Sequence, residues 1–106
     1  MKLYYVYILT NYTKSVFYTG VTNDITRRIY EHNEGLVDGF TKKYNVKYLL
    51  YYEAFNDIIE AIAREKTLKH WKKDWKWDLI KKTNPDLKNL YDKGTILPLE
   101  NDNAYI

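Results

Sequence analysis

Six residues of this 106-residue chain follow in an order that suits one chemistry: Tyr7, Tyr18, Arg28, His32, Glu65 and Asn84. The tyrosines belong to two tripeptides, Tyr5-Val6-Tyr7 and Tyr18-Thr19-Gly20, and lie eleven positions apart. Phenol, guanidinium, imidazole, carboxylate and amide together make a kit for cutting a phosphodiester with one divalent metal. A phenol, with its pKa near ~10, is a poor base unless a nearby cation favours the phenolate. A guanidinium can grip a phosphate oxygen bidentately and stabilise charge developing in a transition state. One carboxylate suffices for Mg²⁺, which fills its shell with water and phosphate oxygens.

Something must hold these groups together. Leu3 to Leu9 is aromatic and β-branched and reads as a buried strand. Asn11 to Ser15 is turn chemistry, and Val16 to Val21 completes a hairpin. Gly20 there implies close backbone approach or a dihedral angle reserved to glycine. Thr22-Asn23-Asp24 offers helix caps and Asn33-Glu34-Gly35 a stop. Between them Ile25, Arg28, Ile29 and His32 share one helical face, so two groups able to carry positive charge stand among apolar ones. Gly35 to Lys47 reads as a loop carrying Phe40 and the pair Lys42-Lys43, and Tyr48 to Phe55 as a third strand. Asp57 caps a long helix with the stripe Ile58, Ala61, Ile62, Glu65, Leu68. Trp71, Trp75 and Leu79 continue the stripe into a further helix that ends at Asn84-Pro85. The pattern predicts an α/β (α+β) domain over 1–93, with 94–106 an irregular or mobile tail.

Composition sets the limits. Apolar residues make up 45% of the chain and aromatics 17%, enough for one folded core. The absence of cysteine removes disulfides, thiolate metal sites and cysteine nucleophiles. The N-terminus has no secretory apolar region, and no stretch reaches the ~18 apolar residues of a membrane span, so a soluble cytoplasmic domain is expected. The net charge of +3 is mild, but residues 64–82 carry eight basic side chains against three acids. Such a stretch is either a solvated helix face or the footprint of a polyanion.

Each residue also has a plain structural explanation. Tyr7 and Tyr18 can be core aromatics, Arg28 a surface ion-pair partner, His32 a helix-end histidine, and Asn84 a turn residue. Glu65 is the most telling, because a carboxylate in an apolar stripe is costly unless paired or metal-bound. Its partner is Arg28 in one case and Mg²⁺ in the other.

As an ordered series, these positions resemble the GIY-YIG nuclease domain, and the stretch from about Tyr4 to Leu90 is similar to its small stand-alone bacterial branch. The two family tripeptides fall on Tyr5-Val6-Tyr7 and Tyr18-Thr19-Gly20. Tyr5 stands in place of the leading glycine, and Thr19 is an atypical middle residue. Some members carry a lysine after the second tripeptide, where this chain has Val21. The resemblance implies a small three-stranded antiparallel sheet flanked by helices. It further implies catalytic roles for Tyr7, Tyr18, Arg28, His32 and Asn84, a structural one for Gly20, and one Mg²⁺ or Mn²⁺ ion on Glu65.

The function expected is endonuclease-like hydrolysis of DNA, with RNA left open as substrate. Lys42, Lys43, Lys66, Lys69, Lys72 and Lys73 would supply sequence-independent phosphate contacts. With no second domain in these 106 residues, specificity is expected from a protein partner, self-association or DNA shape. The alternative is a nucleic-acid-binding module on an idle catalytic scaffold. A protein-interaction domain would leave Arg28 and Glu65 unexplained.

Overall fold

The computed structural model describes residues 2–37 and 39–99. Its elements are β1 (Tyr4–Thr10), β2 (Phe17–Thr22), α1 (Ile25–Asn33), α2 (Phe40–Lys43), β3 (Tyr48–Phe55), α3 (Ile58–His70), α4 (Lys73–Thr83), β4 (Tyr91–Asp92) and β5 (Thr95–Ile96). The three long strands form an antiparallel sheet in the order β2-β1-β3, as the strand pattern predicts. β1 is central, and Val6 through Thr10 are all buried. A strand covered on both faces has no use for alternating polarity, which is why it reads as one apolar run.

The hairpin loop is closed by Asn11, whose Oδ1 accepts from the backbone N–H of Ser15 and Val16. Asp24 caps α1 by accepting from the Arg27 N–H. At the other end Gly35, with φ +70°, lets its N–H reach the His32 carbonyl and the Leu36 N–H reach that of Glu31. This is a Schellman closure, and it anchors the turn that carries His32. The register sets Tyr7 opposite Gly20 and Leu9 opposite Tyr18, so Tyr7, Tyr18 and Gly20 share a sheet face. The other face takes α3 and α4: Arg64 of α3 grips Glu53, and Trp77 of α4 packs edge-on against Phe17 at 4.7 Å.

Several expectations change. The segment 35–47 contains the short helix α2 with Thr41 buried, too short for periodicity to reveal. On α3 the buried residues are Ala61, Glu65 and Leu68, whereas Ile58 and Ile62 sit at the exposed margin of the stripe. Trp71 lies in extended backbone at the break between α3 and α4, so the stripe Trp71, Trp75, Leu79 does not continue on one helix. α4 packs instead through Trp77 and Ile80, leaving Trp75 51% exposed.

The tail boundary at 93 also moves. β4 and β5 pair across Lys93-Gly94, Leu97 N–H donates to the Leu90 carbonyl, and the Tyr52 hydroxyl donates to the Leu97 carbonyl. Residues 94–99 therefore belong to the fold; two-residue strands carry no period to read. The remainder of the expected tail, 100–106, lies outside the described residues.

Asn84 ends α4 with 1% of its surface exposed. Its Nδ2 donates to the carbonyls of Leu50 and Lys88, and its Oδ1 accepts from the Lys88 N–H. The amide is thus a clamp between β3 and the chain after α4. Asn84→Ala should cost about 3 kcal/mol, since it strands several buried backbone groups at once. Urea unfolding measures the loss; a change under about 0.5 kcal/mol would contradict the clamp.

Candidate active site

The site begins with an absent Cβ. A Cβ on Gly20 would collide with the phenol end of Tyr7, so only glycine lets that ring lie across β2. Of the two explanations open for Gly20, close approach is the operative one. Crossing there, the Tyr7 hydroxyl hydrogen-bonds His32 Nε2 at 3.0 Å. The far side of the imidazole, Nδ1, meets Thr41 Oγ1 at 3.1 Å. Tyr18 completes the cluster, its ring centroid 6.2 Å from that of Tyr7, 5.5 Å from that of His32 and 6.4 Å from that of Phe40.

Burial and charge tune these groups. Tyr7 is 1% exposed, and burial pushes its phenol well above the usual tyrosine range. The Arg28 guanidinium beside it acts in the opposite direction, favouring the phenolate. Arg28 is also held by Glu31 one turn on, at 3.3 Å. Burial, reinforced by the Arg28 charge, lowers His32 to about 4. The imidazole is therefore neutral at pH 7, with one N–H to share between its two neighbours. If Nδ1–H donates to Thr41, Nε2 is free to accept from Tyr7.

Glu65 arrives from α3 and is 7% exposed. Its Oε2 lies 2.6 Å from Lys69 Nζ, a charge contact without hydrogen-bond alignment, and has no further partner among the described residues. The pairing with Arg28 considered above does not form, because Arg28 is engaged with Glu31 and Tyr7. A buried carboxylate with one flexible counter-charge is an expensive arrangement. It fits a hard divalent cation that takes one protein oxygen and several waters. Among the described residues no cluster of three or more His, Asp or Glu offers a fuller cage.

The six positions thus divide. Tyr7, Tyr18, Arg28 and His32 come together; Glu65 stands on α3 paired with Lys69; Asn84 spends its amide on backbone. The lysines divide too. Lys69 pairs with Glu65, Lys43 stacks over Tyr44, Lys72 over Trp75, and Lys73 donates to the Ser15 carbonyl, while Lys66 is exposed. Lys42 lies on α2. Thr41 was invisible in the sequence, since nothing local marks a loop threonine as the neighbour of a histidine nine residues before it. Tyr5 is accommodated because it pairs with the small Ala54 and meets Tyr52 edge-on at 6.3 Å. Thr19 points to the opposite face from Tyr18, and Val21 offers Tyr7 no polar atom.

Residues 3–86 match the GIY-YIG catalytic domain family. A UPF0213 protein of Haloquadratum walsbyi is 34% identical over 76 residues, 72% of this chain and 84% of that one. A UPF0213 protein of Clostridium perfringens is 38% identical over 76 residues, 72% and 81% respectively. The solution NMR structure of a UPF0213 protein from Bacillus halodurans superposes with a TM-score of 0.53 at 31% identity, covering 88% of this chain and 98% of that one.

Two outcomes test the cluster. Because the folded state holds His32 at about 4 and the unfolded chain near ~6.5, the unfolded state binds protons first as pH falls. Stability is fully present above pH ~6.5 and drops towards pH 4, by about 2 kcal/mol at pH 5. Thermal melts from pH 7.5 to 5 should show this fall and a flatter profile in His32→Asn; identical slopes would refute it. Gly20→Ala should cost about 1–3 kcal/mol by overpacking Tyr7, read by chemical denaturation.

Proposed function

Because this chain belongs to the GIY-YIG family, we propose that it is a metal-dependent endonuclease that hydrolyses phosphodiester bonds of DNA. The observation that carries the proposal is the convergence of Tyr7, Tyr18 and Arg28 on His32, together with the buried, under-partnered Glu65 of α3. A purely structural core has no need of two phenols, an imidazole and a guanidinium at one point.

In this mechanism the scissile phosphate rests against Arg28, whose guanidinium balances charge on the phosphorane-like transition state. Tyr18, the less buried phenol, orients the attacking water. Tyr7 accepts the proton from water as its own passes to His32 Nε2, the geometry already set by the 3.0 Å hydrogen bond. Thr41 holds Nδ1 so that Nε2 remains the acceptor. A divalent ion on Glu65 would supply Lewis acidity for the leaving 3′ oxygen. Lys69, released from Glu65, can turn its ammonium to the phosphate. Lys42, Lys43, Lys66, Lys72 and Lys73 contribute backbone contacts independent of sequence. Asn84 acts only by holding β3 and α4 in register.

The Lys69–Glu65 contact also suits a second reading, in which the carboxylate is permanently neutralised and the domain binds DNA without cutting it. A plasmid-nicking assay in Mg²⁺ or Mn²⁺ separates the two. Wild type should nick, and Glu65→Ala and Arg28→Ala should each lose about 100-fold or more. Equal activity in all three sinks the mechanism; salt-sensitive binding without cleavage supports the second reading.

A further inference from the structure

We infer that the cleft between Trp71 and Trp75, at the junction of α3 and α4, is a stacking site for one unpaired base of single-stranded DNA. The inference rests on DNA being the substrate and adds the strand form that the molecule can hold. The cleft is walled by Trp71, Trp75, Asp78, Leu79 and Lys82. The two indoles stand perpendicular, with centroids 6.0 Å apart and an interplanar angle of 88°. A planar ring entering the cleft can lie flat on one indole while its edge meets the other.

The cleft encloses about 210 Å³, below the ~300–1,000 Å³ typical of clefts for drug-sized ligands. It suits a single ring system. Trp71 is a firm wall, because the Arg64 guanidinium lies 5.3 Å from its centroid while bound to both oxygens of Glu53. Trp75 is the open wall, 51% exposed, with Lys72 Nζ 5.7 Å from its centroid. Leaving a tryptophan half in water has a cost that ordinary core packing would have removed.

Charge complementarity selects the occupant. At the cleft Lys82 lines the wall beside Asp78, Lys72 lies over Trp75 and Arg64 backs Trp71. A polyanion whose backbone passes along that surface can place a base on the indole, and stacking is indifferent to base identity. Duplex DNA keeps its bases stacked inside and has none to offer. Asp78 is the acid on the wall; its carboxylate can accept from a donor on an unpaired base, such as the exocyclic amine of cytosine.

The test uses the full chain in EDTA at pH 7.5, so that binding is read without cleavage. Fluorescence anisotropy follows a labelled dC twelve-mer, a dT twelve-mer, an RNA C twelve-mer and a twelve-base-pair duplex. Trp75→Ala should weaken dC binding at least fivefold, the range of one lost stacking contact, and change duplex binding less than twofold. Trp75→Phe, which keeps an aromatic face, should stay within twofold of wild type. The inference is overturned if wild type fails to bind the dC strand, or if Trp75→Ala binds it like wild type. Equal loss on strand and duplex, or equal loss in the Phe and Ala variants, also overturns it. So does RNA bound more than tenfold tighter than DNA. Nicking activity is scored separately: Trp-dependent strand binding without cleavage removes the catalytic proposal and leaves the cleft, whereas cleavage without Trp dependence does the reverse.

Discussion

The hydrogen bond between the Tyr7 hydroxyl and His32 Nε2 joins the central strand β1 to the last turn of α1. Both partners are buried, so neither has water as an alternative, and breaking the bond would orphan two polar groups in the core. Three constraints converge on it. Gly20 leaves room for the ring to cross β2, the Schellman closure at Gly35 anchors the turn carrying His32, and Thr41 holds the other nitrogen. The same burial that stabilises the bond suppresses ionisation of both partners. Fold and site are here one set of contacts.

Two ion pairs on α3 show how different a carboxylate's company can be. Glu53 receives Arg64 bidentately and accepts from the Tyr51 hydroxyl at 2.6 Å, and burial pushes that phenol upward. This is a satisfied network, and its rigid planar partner suits a structural role. Among the described residues Glu65 has only Lys69, a point charge on a flexible stem. The first pair braces α3 against the sheet; the second leaves a carboxylate that a cation can claim.

α3 and α4 show why a periodic stripe is an incomplete guide. The chain breaks direction at Trp71, and the i+4 sequence of Trp71, Trp75 and Leu79 is divided between the break and a new helix. Once α4 turns, Trp77 and Ile80 face the sheet, and Trp75 is left facing water. Periodicity assumes one continuous axis, and a break resets its phase.

The sequence by itself determined the three long strands, the caps of α1 and α3, the end of α4 at Asn84 and the face shared by Ile25, Ile29 and His32. These follow from local propensity, side-chain period and capping, all of which act within a few residues. It also placed Tyr7, Tyr18, Arg28, His32 and Glu65 in their order. Only the tertiary structure decided their partners: Lys69 for Glu65, Glu31 for Arg28, Thr41 for His32, backbone for Asn84. It alone showed that residues 94–99 belong to the fold. Those outcomes depend on how helices rotate against the sheet and on contacts between residues far apart in the chain, and neither leaves a periodic mark in the sequence.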